Sequence, residues 1–412
     1  MKKVLILSHQ GMGFVSKQVN AAKKIGLDFI ILTSGELENK VKEDWDTNGW
    51  SYIVTQNTEL TQADIKEHID DFDCCITVWD AYRSLMAFAN QLINAHDVTE
   101  QQVQLMQDKY ALRKLLNEHG LSKVQCYLAS DVHEHLVDFD NTEFFIKPRR
   151  GAGSFFASKI SSREDFESIL SDFASRNVDG EASAFKSFVS GNQLYIEEFI
   201  EGTEFSFEII LENGRRKYCV EHEKIMGIDK KTNVALEEAF ISPCYSLEKK
   251  EIDAALLKID NILSLLDVTT GCYHIELRYT PHNEWELIEV NPRLGGACID
   301  ESIQHRINKN YLEEQLKHLI NQNEVGEMQI DAQATYFEVS FAQPGCSIKS
   351  FEKNKIYPSP QIDMMFYKEG ETTENSKAEI FAGMHLWAID LCEQQDFMNN
   401  IHNQRYLMVN YN

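Results

Sequence analysis

Two neighbouring segments, residues 272–279 and 285–291, carry the polar side chains with the strongest chemical signal in this sequence. Both follow the two-residue period of a β-strand, and a short polar turn around His282–Asn283 separates them, which predicts a hairpin. The side chains expected on one face are His274, Glu276 and Arg278 in the first strand and Leu287, Glu289 and Asn291 in the second. With a tight loop, Glu276 falls directly opposite Glu289. The same register places His274 opposite Asn291.

Facing carboxylates in such a hairpin would have chemical consequences. Directly opposed Cβ atoms lie about 5 Å apart, so the two carboxylates repel each other, and a cation would relieve that repulsion. Two carboxylates and an amide oxygen are ligands that Mg²⁺ uses when it bridges nucleotide phosphates. The hairpin therefore predicts a magnesium site. The alternative is an exposed polar face, since a slip of one residue in register would break the pairing.

A glycine-rich segment follows a predicted strand at residues 144–147. Gly151 and Gly153 would let backbone N–H groups turn towards an anion, with Lys147 beside them as a point charge. The segment lacks Gly-Lys-Ser/Thr and a following helix, so it is not a Walker loop. Taken alone, it is more typical of an ordinary hairpin turn.

A third segment, residues 194–209, joins two predicted strands with Gly202 as its pivot. Acidic residues stand on both sides of the pivot, Glu197 and Glu198 before it and Glu204 after it. Their carboxylates could accept hydrogen bonds from a purine amine and a ribose. Taken singly, such acids are most often a solvated strand face.

The elements that must position these segments follow from the apolar pattern. The first ninety or so residues read as β-α-β units, which predicts a small parallel sheet with helices on both faces. Its strands are expected at Val4–Leu7, Phe29–Leu32 and Cys74–Val78. Gly11 and Gly13 after the first strand form half of a dinucleotide fingerprint, and a tight turn explains them equally well.

Strand-like and helical patterns alternate along the rest of the chain. Further strands are predicted at Val124–Leu128, Phe144–Lys147, Phe155–Ile160, Leu194–Ile200, Glu204–Leu211, Cys272–Tyr279, Trp285–Asn291, Ala334–Phe341 and Met384–Asp390. Helices are predicted at Thr99–His119, Arg163–Arg176 and Lys249–Leu266, with an amphipathic helix at the end of the chain.

The composition excludes several classes of protein. The 412 residues are enough for two or three domains, and acidic residues outnumber basic ones 65 to 40, for a net charge of -25. So negative a surface repels nucleic acid and anionic lipid. The apolar runs are too short to cross a bilayer, and the nine cysteines have no metal-binding spacing. We expect a cytoplasmic protein with reduced thiols and with no nucleic-acid or membrane partner.

The three segments in this order, preceded by Asp108–Lys109 and its helix, resemble the ATP-grasp superfamily from about Gln107 to Gly296. The resemblance implies an α/β fold in which a parallel N-terminal sheet precedes two mixed-sheet subdomains that sandwich ATP. The expected limits are 1–98 for the N-terminal domain, 99–200 for a linker helix and the small subdomain with the Gly-rich loop, and 201–412 for the large subdomain with the metal site and a C-terminal extension.

Roles in nucleotide binding follow from the resemblance. It implies that Lys109 and Lys147 hold the ATP phosphates and that the loop Gly151–Ser154, with Gly153 and Ser154, closes over them. The remaining ATP-binding residues would be Glu197, Glu198, Ile200 and Glu204. The backbone of Glu198 and Ile200 would bracket the adenine, and Glu204 would take the ribose hydroxyls.

Metal binding and catalysis are implied in the same way. Glu276, Glu289 and Asn291 would hold two Mg²⁺ ions, which Mn²⁺ could replace. Arg293, with Asn291, would face the transferring phosphoryl group, where a fixed guanidinium stabilises growing negative charge.

Within the superfamily, Glu-Val-Asn-Pro-Arg-Leu-Gly-Gly and the chain length look most like the carboxylate–amine ligases that include the L-amino-acid (dipeptide) ligases. The substrate-binding segment of such enzymes would be Ala235–Pro243. Phe240 stands where the dipeptide ligases have a histidine, which leaves Glu237 or Glu238 for a substrate ammonium group, with His274 as a further substrate contact.

The expected reaction passes the γ-phosphoryl group of ATP to a small-molecule carboxylate, whose acyl phosphate an amine then attacks. Alternatives are an ATP-grasp ligase with a purine-pathway substrate or bicarbonate, and a nucleotide-binding regulatory protein without turnover. A phosphorylated substrate would need its own basic cluster, for which Arg149–Arg150 is the candidate. The sequence leaves the acid, the amine and the oligomeric state open, a homodimer included.

Overall fold

The structure is a computed structural model that describes residues 2–11, 14–35, 37–132, 137–151, 156–175, 193–228, 235–322, 333–374, 380–401 and 404–412. Within these ranges, none of the helices has both the length and the apolar character that a membrane span requires. All nine cysteines are free thiols, as expected. The strands within the described ranges form four sheets.

The N-terminal sheet consists of β1 (Lys3–His9), β2 (Asp28–Ser34), β3 (Tyr52–Val54) and β4 (Cys74–Ile76), with helices α1 (Val15–Lys24), α2 (Asn39–Thr47), α3 (Gln62–His68) and α4 (Arg83–Leu92). Its order is β3-β2-β1-β4 and every pairing is parallel, which confirms the predicted parallel sheet. The three residues of β3 are too few to show an alternating pattern, so this strand was missed. Gly11 has a φ of 87° in the turn after β1. Gly13 lies outside the described residues.

The predicted helix over residues 99–119 is two helices, α5 (Glu100–Gln107) and α6 (Lys109–Glu118). Asp108 separates them, because its carboxylate accepts a hydrogen bond from the N–H of Ala111 at 3.0 Å and so caps α6. The same carboxylate accepts one from Nε of Arg149 at 3.0 Å. The start of α6 is therefore tied to the beginning of the Gly-rich segment.

A four-stranded antiparallel sheet follows, made of β5 (Cys126–Leu128), β6 (Phe144–Pro148), β7 (Ser158–Ile160) and β8 (Leu194–Glu198), with helix α7 (Arg163–Ser175). Its order is β5-β8-β6-β7. One face packs on α7 in a small apolar core that includes Ile146, Ile160 and Phe166. Gly153 and Ser154 of the expected phosphate loop lie outside the described residues.

The largest sheet is antiparallel and contains β9 (Thr203–Glu212), β10 (Arg215–Ile228), β11 (Ala235–Ser242), β12 (Gly271–Tyr279), β13 (Trp285–Asn291), β14 (Gln333–Phe341), β16 (Ile362–Met365) and β17 (Phe381–Asp390). Its order is β13-β12-β9-β10-β11-β14-β17-β16. A two-stranded sheet pairs β15 (Ile348–Lys353) with β18 (Leu407–Tyr411). The helices of this half are α8 (Lys249–Leu265), α9 (Ile299–Ile307), α10 (Tyr311–Leu319) and α11 (Gln394–Ile401).

Three features of this half differ from expectation. The sequence did not predict β10, and residues 235–243 were taken as a polar segment although β11 covers most of them. Charged side chains such as Lys224 and Glu237 interrupt the apolar alternation of these strands. The final helix α11 is followed by β18, so a strand is the last element. The limits of the three domains stay a prediction; the strands of each sheet fall within one of the three ranges.

Strand alternation separates the core from the site in the eight-stranded sheet. Odd-numbered residues in the middle of β9 and β12, such as Phe207 and Ile275, are fully buried in an apolar core with α8. Even-numbered residues of the same strands, such as Glu208 and Glu276, point to the opposite face. That face therefore collects the buried charges.

Gly202, between β8 and β9, offers a test of the connection between the two sheets. Its φ is 128°, and a Cβ atom there would lie 2.0 Å from the carbonyl oxygen of Tyr279. We expect Gly202→Ala to lower the free energy of unfolding by roughly 3 kcal/mol or more, from backbone strain and steric overlap together. Gly214 is the matched control, because its φ is 72° but a Cβ there would meet nothing within 4 Å. Gly214→Ala should cost only about 1 kcal/mol. Equal losses in urea unfolding would contradict the steric part of this argument.

Candidate active site

The polar hairpin of β12 and β13 has the predicted register at its chemical end. Glu276 pairs with Glu289, and His274 with Asn291. A β-bulge after Glu276 then pairs Leu277 with Leu287, so that Ile288 is the extra residue. Leu287 consequently points into the apolar core, and its predicted place on the Glu289 face is wrong.

Glu289 lies within a cluster that α6 and the Gly-rich segment help to build. Nζ of Lys109 is 2.8 Å from Oε2 of Glu289 and donates to the carbonyl of Gly151 at 2.9 Å. Asn291 donates its side-chain NH₂ to Glu289 at 2.6 Å, which leaves the amide oxygen of Asn291 for another partner. Burial raises the pKa of Glu289, but the charge of Lys109 outweighs it, and the pKa lies below its usual value.

Glu276 is held by two cations through a single oxygen. Its Oε1 accepts hydrogen bonds from Nζ of Lys224 and from Nε2 of His274, both at 2.8 Å. Burial alone would raise the pKa of Glu276, but these neighbours hold it well below its usual value. Both carboxylates of the hairpin are therefore ionised, which is the state that a divalent metal needs.

His274 is occupied on both of its ring nitrogens. Nδ1 contacts the buried carboxylate of Glu208, and Nε2 contacts Glu276. Burial would lower the pKa of His274, but the two carboxylates raise it to about 10, so the ring is a cation at neutral pH. His274 neutralises Glu208 and Glu276, and its expected contact with a substrate stays a prediction.

Lys224 of β10 is a site residue that the sequence did not reveal. Its fully buried ammonium donates to Glu204 at 3.0 Å, Glu237 at 2.7 Å and Glu276 at 2.8 Å. Burial would lower its pKa, but the three carboxylates raise it well above the usual value. A prediction of β10 as a strand would have placed Lys224 opposite Phe240, beside the glutamate pair that was considered for substrate binding.

A β-bulge separates Glu237 from Glu238. Register on β10 moves from Ile225–Ala239 to Met226–Glu237, so Glu238 is the extra residue and the two neighbours point to opposite faces. Glu237 turns to Lys224, with 34% of its side chain exposed. Glu238 pairs with Arg405 instead. Of the two, only Glu237 faces the site.

Lys147 and Glu197 form the other charged cluster, at the edge of the small sheet. Nζ of Lys147 is 2.7 Å from one oxygen of Glu197, and Nε of Arg113 is 2.8 Å from the other. Burial raises the pKa of Glu197, but Arg113 and then Lys147 outweigh it and leave the pKa below its usual value. Arg113 also reaches the carbonyl of Leu287, so it joins the small sheet to the polar hairpin.

The expected adenine and ribose residues follow directly in the chain. The N–H of Glu198 donates to Gln125 at 3.0 Å, and the carbonyl of Ile200 accepts from Arg278 at 2.6 Å. Recognition of a base would thus fall to the carbonyl of Glu198 and the N–H of Ile200. Glu204 contacts Lys224 through one oxygen and Arg278 through the other. Its expected role with the ribose stays a prediction.

Arg293, directly after the hairpin, contacts the N-terminal half of the chain. Its Nε and Nη2 donate to the two oxygens of Asp80 at 2.7 and 2.5 Å. Asp80 lies in a short 3₁₀ helix after β4. Sequence reasoning missed Asp80, since nothing along the chain links residues so far apart.

Comparison with known proteins agrees with this geometry. Residues 141–301 match the family described as the ATP-grasp domain. The chain contains an ATP-grasp domain. No sequence among the curated proteins matches it.

Solved structures show how far the ATP-grasp fold extends. An L-amino acid ligase from Bacillus licheniformis has 16% sequence identity and a TM-score of 0.77, over 100% of this chain and 99% of the ligase chain. Phosphoribosylglycinamide synthetase from Anaerococcus prevotii has 14% identity and a TM-score of 0.68, over 100% of both chains. N5-carboxyaminoimidazole ribonucleotide synthetase from Thermotoga maritima has 16% identity and a TM-score of 0.67, over 99% of both chains. At these identities the likeness establishes the ATP-grasp fold and leaves the substrate open.

The residues present fit a nucleotide with its metal. Glu276 and Glu289 are ionised and directly opposed, and Asn291 has an amide oxygen beside them, which is a set of hard oxygen ligands. Lys109 contacts Glu289 of this set, and Lys147 of the small sheet contacts Glu197. Negative phosphates could take the place of the acids to which these two lysines are now paired.

Glu197 allows a test of the buried charge cluster. Its folded-state pKa is depressed, so its stabilising contribution is present above its unfolded-state pKa of about 4.3 and is lost as the pH falls through the folded-state pKa. We expect Glu197→Gln to lower the free energy of unfolding by about 3 kcal/mol at pH 7, because two buried cations lose their partner.

In urea unfolding, the difference between wild type and Glu197→Gln should shrink as the pH falls below about 4.3 and through the folded-state pKa of Glu197, which lies lower. Glu167, an exposed partner of Arg163, is the control, and Glu167→Gln should change stability by less than about 0.5 kcal/mol at every pH. A pH-independent deficit in Glu197→Gln would show that its charge does not matter.

Proposed function

We propose that this protein is an ATP-dependent carboxylate–amine ligase that forms an amide through an acyl phosphate. The observation that carries the proposal is the opposed, ionised pair Glu276 and Glu289, with Asn291 beside it and Lys109 bound to Glu289. Such a face can hold a metal–triphosphate on one side and cations against its phosphates on the other. The ATP-grasp domain supports the proposal, because solved structures with this fold include an L-amino acid ligase.

In the proposed reaction, a carboxylate oxygen of the acid attacks the γ-phosphorus, and the bond from that phosphorus to the β-phosphate oxygen breaks, releasing ADP. Lys109 and Lys147 hold the phosphates, and Arg293 stabilises charge on the phosphoryl group. Bound Mg²⁺ would neutralise the phosphates. The amine then attacks the carbonyl carbon, phosphate leaves with the bonding electron pair, and the nitrogen loses a proton.

An amino acid is the acid that we favour. Glu237 is the part-exposed acid of the site, and burial with the charges of Glu276 and Glu204 raises its pKa despite Lys224. A substrate ammonium beside Glu237 would stabilise the ionised form of its carboxylate. The alternative, a phosphorylated purine-pathway substrate, would use Arg149–Arg150, and Arg149 is fixed by Asp108, the residue that caps α6.

Trapping with hydroxylamine tests the reaction type. Purified protein is incubated with ATP, Mg²⁺, hydroxylamine and each of the twenty amino acids in turn. The amino acid that is the substrate should give a hydroxamate together with ADP and phosphate, since hydroxylamine intercepts an acyl phosphate. Glu289→Gln should give none above background, because one carboxylate of the metal pair has lost its charge. Formation of AMP and pyrophosphate would contradict the mechanism, and a folded Glu289→Gln protein with normal yield would contradict the metal assignment.

The neighbouring glutamates provide a matched pair for the substrate. Glu237→Gln should raise the KM for the amino acid roughly ten- to a hundredfold, the loss of one charge-assisted hydrogen bond, and leave the KM for ATP nearly unchanged. Glu238→Gln, on the opposite face, should leave both constants unchanged. N-acetylated amino acids should not support turnover. Equal effects of the two substitutions would refute the ammonium site.

A further inference from the structure

Three carboxylates surround the ammonium of Lys224, and we call Glu204, Glu237 and Glu276 the glutamate trio. One ligand oxygen of each lies within 4.8 Å of the others, a spacing that could hold a metal ion. Ser206, the register partner of Glu276 on β9, is fully buried, and its hydroxyl has no hydrogen-bond partner in the described part of the chain. The three carboxylates of the trio, together with the hydroxyl of Ser206, thus offer the oxygen ligands that a divalent cation prefers.

The ammonium lies within this ligand set. A lysine ammonium has three N–H donors, and Lys224 gives one to each member of the trio at 2.7 to 3.0 Å. It contacts Glu276 and Glu237 through Oε1 in each case, so their Oε2 atoms are left to face other partners. In the described part of the chain, the other lysine of the hairpin cluster, Lys109, pairs with a single carboxylate, that of Glu289.

We propose that Lys224 is a positioning residue whose ammonium is the resident cation of the glutamate trio and excludes divalent metal from it. The inference rests on the proposed function. Metal is thereby confined to the side of Glu276 that faces Glu289, where it can meet phosphates. Glu237, which a metal in the trio would otherwise take as a ligand, stays available for the substrate ammonium.

Manganese binding without nucleotide tests this role. We expect Lys224→Ser to bind Mn²⁺ about tenfold or more tightly than wild type, measured from the electron paramagnetic resonance signal of free Mn²⁺, because the shortened side chain vacates a three-carboxylate site. Lys224→Met is the matched variant, since it removes the charge but fills the space. It should show no gain.

Second substitutions locate the new site. Lys224→Ser with Glu237→Gln should lose the gain, because one ligand charge is gone. Lys258, a half-buried lysine beside Glu286 and away from the trio, is the control for loss of a lysine, and Lys258→Ser should bind Mn²⁺ like wild type. The experiment needs no ATP, so a protein that failed the hydroxamate test could still pass this one.

Two results would overturn the proposal. One is a folded Lys224→Ser protein that binds Mn²⁺ no more tightly than wild type. The other is an equal gain in Lys224→Met, which would make charge alone responsible. Should Lys224→Ser unfold without metal, recovery of its native circular dichroism by Mn²⁺ supports the role, and failure of Mn²⁺ to restore it counts against the role.

Discussion

Glutamates crowd the site face of the eight-stranded sheet: Glu204, Glu208, Glu237, Glu276 and Glu289. Antiparallel pairing brings such side chains within a few ångströms of one another, and in a buried setting their repulsion is poorly screened. Each of them therefore has a cation at hydrogen-bonding distance. The excess of negative charge that must be balanced in the free protein is also what would attract a metal in the proposed function.

The balancing cations come from several parts of the chain. Lys109 begins α6, Lys224 belongs to β10, and Arg113 reaches from α6 to both the small sheet and the hairpin. Charge pairing thus determines how the helix and the two sheets meet. Breaking one such buried pair would leave an uncompensated charge, which lowers stability. The groups that would bind the nucleotide therefore also hold the helix and the two sheets in place.

The parts of the candidate site that lie on regularly alternating strands could be predicted from the sequence. The two-residue period of β12 and β13 was enough to pair Glu276 with Glu289. A β-bulge has no such pattern in the sequence. The extra residue Ile288 turns Leu287 into the core, and the extra residue Glu238 puts Glu237 and Glu238 on opposite faces of the sheet.

Contacts between residues far apart in the chain were even harder to predict from the sequence. The fold class and the parallel N-terminal sheet followed from the resemblance and from β-α-β periodicity. Lys224 was missed because its strand carries charges where apolar residues would mark it. Asp80 was missed because its partner, Arg293, lies more than two hundred positions further along the chain. Such partners become visible only when the sheets are assembled.

The contact between Asp80 and Arg293 bears on how freely this architecture can be recombined. Arg83 of α4 adds a second link, since it donates to the carbonyl of Pro292 at 2.5 Å while paired with Asp97. The N-terminal part of the chain therefore contacts the proposed active centre directly, through Asp80 and Arg83. An exchange of this part between homologues would have to carry the acid and the arginine with it. Asp80 and Arg293 thus form a contact across which the two parts of the chain must change together.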